Sequence, residues 1–141
     1  MKYSFKQIDE DTINLTYKDK VFPIHKDVEL LSKIQGINAK ARAKMSMELK
    51  KQGMTINDLI VIKHEGNKTI EDHSNVDYIE KEYYNLACVD LVNELCQKYF
   101  EMSLDDVVVD IGIETDTELV DFTQDLLVNI AGKNKSPREE K

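Results

Sequence analysis

No apolar run in these 141 residues approaches the ~18 needed to cross a bilayer, and residues 1–12 lack the apolar core of a signal peptide. The sequence therefore predicts a soluble, cytoplasmic protein. Only two cysteines are present, Cys88 and Cys96. Eight residues apart on one predicted helix, they stand roughly 12 Å from each other, beyond disulfide reach, and read as small apolar helix residues. The five glycines are scattered at 36, 53, 66, 112 and 132, so no glycine-rich loop exists to cradle a phosphate. Basic residues are missing altogether from residues 101–130, which carry nine acidic ones.

What is present fits one globular domain over residues 1–132, followed by a polar tail at 133–141 that reads as disordered. A chain of this length buries about two-thirds of its unfolded surface. At 41% hydrophobic and 33% charged it is globular, and a net charge of −8 argues against nucleic acid as the main partner.

The alternation Thr12-Ile13-Asn14-Leu15-Thr16-Tyr17 predicts a half-buried strand, Lys18-Asp19-Lys20 a turn, and residues 21–24 a returning strand with Pro23 at an edge. Tyr3-Ser4-Phe5 offers a third, shorter strand. A long helix is expected over 26–52, stopping at Gly53 and bending near Gly36. Its apolar stripe is Leu30, Ile34, Ile37, Ala41, Met45 and Leu49. The other face holds Lys26, Lys33, Lys40, Arg42, Lys44, Lys50 and Lys51 against Asp27, Glu29 and Glu48. Residues 54–64 read as a short helix opened by Thr55 and Asp58, with a buried strand at 59–62 as the competing assignment. A turn at 65–68 continues as loop to His73.

Ser74 and Asp77 open a second long helix to about Glu101. Its expected buried side is Val76, Ile79, Tyr83, Leu86, Val89, Val92, Cys96 and Tyr99. Short helices follow at Leu104–Ile111 and Asp116–Ala131. Ser103 and Thr115 cap them, Asp106 and Glu118 reach back to the caps, and Gly112 and Gly132 take the left-handed conformation that ends a helix. The fold class is mainly α: a small N-terminal β-hairpin followed by a bundle of two long and two or three short helices.

The residue spacing offers no reactive constellation. His25, His64 and His73 share no ligand spacing with one another or with the cysteines, and His64-Glu65 lacks the second histidine of a zinc-protease helix. The carboxylates of residues 101–125 fall on caps and exposed faces. No catalytic, cofactor-binding or metal residue is assigned, and the chain is expected not to be an enzyme.

The run from Cys96 to Lys135, with Tyr99-Phe100-Glu101-Met102-Ser103-Leu104-Asp105-Asp106, then Asp121-Phe122, then Ala131-Gly132, resembles the tail assembly chaperones of long-tailed phages and of prophages in low-GC Gram-positive bacteria. The order hairpin, long helix, variable loop, long helix, acidic helix pair is similar too. The resemblance implies a non-enzymatic protein of the host cytoplasm, absent from the mature virion. Such a protein binds the tape measure protein and keeps it soluble, and a frameshift-extended form recruits tail tube protein. A slippery heptamer A-AAA-AAC or A-AAA-AAU can be written near Gly132, Lys133 and Asn134, where a frame change would spare the folded part. Met45, Leu49, Phe122 and Leu126 are the expected client contacts, with simple core packing as the alternative. The basic first helix and the acidic end further suggest head-to-tail homo-oligomers, with mutual neutralisation inside one monomer as the alternative. Two other readings compete with the chaperone: an adaptor or inhibitor that binds a partner through its acidic helical face, and a structural head–tail connector.

Overall fold

The computed structural model describes residues 2–132. In chain order these form β1 (Ser4–Asp9), β2 (Thr12–Tyr17), β3 (Lys20–His25), α1 (Val28–Gln35), α2 (Ile37–Lys51), a 3-10 turn (Ile56–Leu59), β4 (Val61–Glu65), β5 (Lys68–Asp72), α3 (Ser74–Phe100), α4 (Leu104–Ile111) and α5 (Asp116–Ala131). The protein is mainly helical with a small antiparallel N-terminal sheet. Of the described residues, 2–35 and 88–132 belong to one compact unit and 36–87 to a second. The expected tail at 133–141 lies outside the described residues.

The first unit is built on the three-stranded sheet β1-β2-β3, in which the third strand offered at Tyr3-Ser4-Phe5 is present and runs on to Asp9. Ile13, Leu15 and Tyr17 of β2 are buried and their neighbours Thr12, Asn14 and Thr16 half-buried, the alternation that a strand with one covered face requires. The β2–β3 turn places Lys18 at φ 49 and Asp19 at φ 66, the two positive angles of the tight turn that matches the twist of paired strands. Pro23 pairs with Asn14 on the outer strand β3, where its missing N–H removes no ladder bond from a second neighbour. Against the sheet side of this core lie Leu91, Val92, Leu95, Cys96 and Phe100 of α3, Leu104, Val107 and Ile111 of α4, and Phe122, Leu126 and Ile130 of α5. Aromatic contacts tie the layers together. Tyr3 meets Phe122 edge-on at 5.0 Å, and Phe22 bridges Tyr17 at 5.3 Å and Phe100 at 4.7 Å.

Local chemistry sets the ends of α4 and α5. Ser103 Oγ accepts the Asp106 N–H at 3.2 Å and Thr115 Oγ accepts the Glu118 N–H at 3.1 Å. Glu118 reaches back one residue further than a capping box requires, accepting the Glu114 N–H at 3.2 Å. Asn93 of α3 adds a cap from outside, its Oδ1 accepting the Leu104 N–H at 2.8 Å. Gly112 stands at φ 97 and ends α4 as expected, whereas Gly132 is right-handed at φ −63, so α5 does not close on a left-handed glycine. The chain leaves α3 through Glu101, at φ 56 the left-handed residue of that junction.

The second unit has a small core. Met45, Leu49 and Val76 are buried, and Met54, Ile56, Leu59, Ile60, Ile79 and Tyr83 pack around them half-exposed. Three expectations change here. The single helix over 26–52 is two helices, because Gly36, with no side chain to pack, adopts φ −87, ψ 1 and interrupts the ladder. Residues 54–64 hold a 3-10 turn and then β4, which begins only at Val61 and is exposed throughout, so the buried strand at 59–62 is not formed. The stretch to His73 is the strand β5, paired with β4 through the two-residue loop Gly66-Asn67, with Gly66 at φ 65.

Two smaller corrections concern side chains. Leu86 is 55% exposed rather than buried. Val76, Ile79 and Tyr83 face one core, Cys88, Leu91, Val92, Leu95 and Cys96 face another, and Leu86 falls in neither stripe. Lys26 precedes α1 and is buried. Its N–H donates to the Asp11 carbonyl at 2.6 Å and its Nζ to Gln7 Oε1 at 3.3 Å, so it does not join a basic helix face.

Candidate partner-binding surface

The two units differ in how they dispose of large apolar side chains. Among the described residues, the 36–87 unit buries Ile37, Ala41, Met45, Leu49, Val76 and Ala87. It leaves as many large ones exposed: Met47, Val61, Ile62, Ile70, Tyr78 and Leu86. The other unit buries 18 hydrophobic residues and exposes five large ones, Ile8, Val21, Val28, Val109 and Val128. Singly exposed apolar residues are ordinary, but a small unit with as much outside as inside has apolar surface to give to a partner.

Helix α2 carries the charge of this surface. It buries only the narrow stripe Ile37, Ala41, Met45 and Leu49, one residue per turn. Five basic residues and one acidic residue occupy the remainder. Arg42 pairs with Glu80 at 2.9 Å and Lys51 with Glu48 at 3.0 Å, while Lys40, Lys44 and Lys50 make no ion pair among the described residues. Met47, 61% exposed, lies among them. The helix ends on Gly53 at φ 74, with the Met54 N–H bonded to the Leu49 carbonyl and the Gly53 N–H to that of Lys50, the paired closure that a left-handed glycine permits. Beyond this end a groove of about 460 Å³ is lined by Ser46, Lys50, Met54, Thr55, Ile56 and Asn57. Thr55, one of its lining residues, is held by Asp58, whose Oδ2 accepts the Thr55 N–H at 2.8 Å.

All four residues expected to touch a client lie inside. Met45, Phe122 and Leu126 are fully buried and Leu49 is 8% exposed. The correction has a simple cause: an amphipathic helix with one apolar stripe spends that stripe on its own core. A residue left for a partner is an apolar one off the stripe, and Met47, two positions and more than half a turn from Met45, carried that signal in the sequence. Gly132 directly follows α5, and Lys133 and Asn134 lie outside the described residues.

Three carboxylates of the acidic end, Asp110, Glu118 and Asp125, are engaged with side chains of their own unit. Lys2 Nζ donates to the Gly112 carbonyl at 2.7 Å and to Glu118 at 2.9 Å, Lys20 pairs with Asp110 at 2.7 Å, and the Tyr3 hydroxyl donates to Asp125 at 2.6 Å. A cleft of about 440 Å³ lies over Lys2, Tyr3, Ile113, Glu118, Asp121 and Asp125, so several of its polar groups already have partners. Burial, then the Asp125 contact, pushes the Tyr3 phenol above its ordinary range. Cys88 and Cys96 are buried thiols, and burial pushes the Cys96 pKa up to about 12, the opposite of what activates a nucleophile. Among the described residues no three His, Cys, Asp or Glu side chains are grouped to hold a metal ion, and no helix is long and apolar enough to cross a membrane. No protein family, curated protein or solved structure matches the chain.

Proposed function

We propose that this is a non-enzymatic binding protein of the tail assembly chaperone type, acting in the host cytoplasm to keep a tape measure protein soluble. The 36–87 unit is its client-binding part. The supporting observation is that, among the described residues, this unit exposes six large apolar side chains and buries four, Ile37, Met45, Leu49 and Val76. A tape measure protein is long and helical, and its amphipathic segments need an apolar strip to cover until the tube forms. Met47, with the groove beside Met54 and Ile56, supplies such a strip, and Lys40, Lys44 and Lys50 favour a client helix with acidic flanks. Recruitment of tail tube protein falls to a form extended beyond Gly132.

Co-expression with the tape measure protein encoded nearby tests the reading. The wild-type chain should move the client into the soluble fraction. Met47→Lys should leave it insoluble while the circular dichroism of the purified variant is unchanged. A client that stays insoluble with the wild-type chain overturns the proposal, as does a gene lying nowhere near a tape measure gene. A full rescue by Met47→Lys instead removes α2 from the contact.

A further inference from the structure

Strand β5 is bonded on one side only, and Lys68, Thr69, Ile70 and Glu71 are all exposed. A two-residue loop makes Glu65 and Lys68 a hydrogen-bonded pair, and alternation puts Lys63 with Ile70 and Val61 with Asp72 in the same class. The N–H and C=O groups of Thr69 and Glu71 therefore point outward along the open edge of β5, and those of Ile62 and His64 along the open edge of β4. An isolated two-stranded hairpin is marginal in water, and an open edge is a template for another strand.

The occupant is indicated by the order of charges. Read antiparallel against itself about Ile70, the strand places Lys68 opposite Asp72 of a second copy, Thr69 opposite Glu71, and Ile70 opposite Ile70. This register also lets the outward groups bond. Thr69 and Glu71 exchange both N–H···O contacts at each of two symmetric places, about four backbone bonds in all. Neighbouring registers are worse. Pairing Glu71 with Glu71 sets two carboxylates face to face, and pairing Thr69 with Thr69 leaves Lys68 opposite Ile70. On the edge of β4, the register that bonds both Ile62 and His64 sets Lys63 against Lys63. Like charges directly opposite destabilise a sheet, and opposite ones support it.

We infer that the β5 edge is a two-fold docking surface for a second copy of this chain, joining two hairpins into a four-stranded sheet in the order β4-β5-β5-β4. In that sheet Glu65, Lys68 and the second copy's Asp72 alternate in sign across three strands, and the two Ile70 side chains meet on the axis. Asp72 is ready for the role, since its carboxylate is already oriented by the Ser74 N–H at 2.9 Å and by Lys63 at 3.0 Å. The association is isologous, with the same patch on both partners, and differs from the head-to-tail contact suggested by net charges. Two five-residue strands bury far less than a standard interface, so a weak dimer is expected, with a dissociation constant on the order of 10 µM to 1 mM.

Sedimentation equilibrium on the full chain over about that range should show a reversible monomer–dimer equilibrium. Glu71→Pro removes the outward N–H, together with the Glu71 carboxylate and some freedom at Ile70, and should weaken the dimer about thirty-fold or more, since two of the four bonds go. His64→Pro makes the same change on the β4 edge and should leave association unaltered. Hydrogen exchange needs no variant: rising concentration should protect the Thr69 and Glu71 amides and leave those of Ile62 and His64 unprotected. A wild-type chain that stays monomeric at about 1 mM overturns the inference. So does a dimer that is insensitive to Glu71→Pro, or protection that appears on β4 instead. A monomer whose Glu71→Pro variant loses a client would also overturn it, and would give the edge to that client.

Discussion

Met45 and Met47 make a matched pair within α2: the same side chain, two residues apart, one fully buried and one 61% exposed. Truncating Met45 to alanine removes most of a side chain that loses all its contact with water on folding. At ~25 cal/mol per Å² that loss is about 2 kcal/mol, and the cavity it leaves brings the total to about 2–4 kcal/mol. The core it vacates is small, with Leu49 and Val76 as its other buried members, so few neighbours can collapse into the gap. Met47→Ala changes little that is buried and should stay within about 0.5 kcal/mol. Urea unfolding followed by circular dichroism measures both. Met45→Ala should also separate the transition into two steps, because the 36–87 unit has the thinner core and the loss falls wholly on it. Equal costs for the two variants would refute the orientation of α2, and with it the client surface drawn on its outer side.

Acid should unfold the protein through its caps and ion pairs. Asp27, Asp110 and Glu118 are held below the ordinary carboxylate range chiefly by the Leu30 N–H, Lys20 and Lys2 respectively, and Asp72 is held far below it by the Ser74 hydroxyl, the Ser74 N–H and Lys63. A depressed carboxylate contributes stability that is present above its unfolded value near ~4 and is lost as pH falls through the folded value. The melting temperature should therefore hold from neutral pH to about 5 and fall steadily below about 4; a flat profile down to about pH 2 contradicts these contacts. The turn at Lys18 and Asp19 should gain about 0.5–1 kcal/mol from Lys18→Asn with Asp19→Gly, residues that accept positive φ more readily, and a lower melting temperature would show that the turn is not strained. Cys88 and Cys96, both fully buried, should react with a thiol reagent only as fast as the protein opens, so rapid labelling of either would be inconsistent with this core.

The helices α4 and α5 are legible in the sequence to the residue, because their ends depend on short-range chemistry: a hydroxyl, the N–H three residues on, and at Gly112 a left-handed angle. β2 is equally plain from its alternation. Legibility fades where an element depends on distant packing or lacks apolar content. β5 offers one apolar residue, Ile70, in five, so only the Gly66-Asn67 loop marked it, and the polar composition argued for a coil. Gly36 could be read as weakening a helix but not as ending it, since the choice between bend and break is made by what packs on either side. The buried side of α3 departs from its expected stripe at Leu86 because the helix serves two cores in succession, and a single stripe along 27 residues cannot follow both. The candidate surface was half visible. Met47 was present as an apolar residue off its stripe, whereas the open edge of β5 is a property of sheet order that no local pattern contains.

The interleaving of the two units has a consequence for synthesis on the ribosome. The sheet of residues 4–25 emerges first, yet Phe122, which closes over Tyr3, is made more than a hundred residues later. At ~5–20 residues per second, the buried face of β2 waits about 5–20 seconds for its cover. The 36–87 unit is continuous and has no such wait, so it can be complete while its host is still in two pieces. A nascent chain therefore presents the exposed apolar side chains of this unit before the rest of the molecule has finished folding.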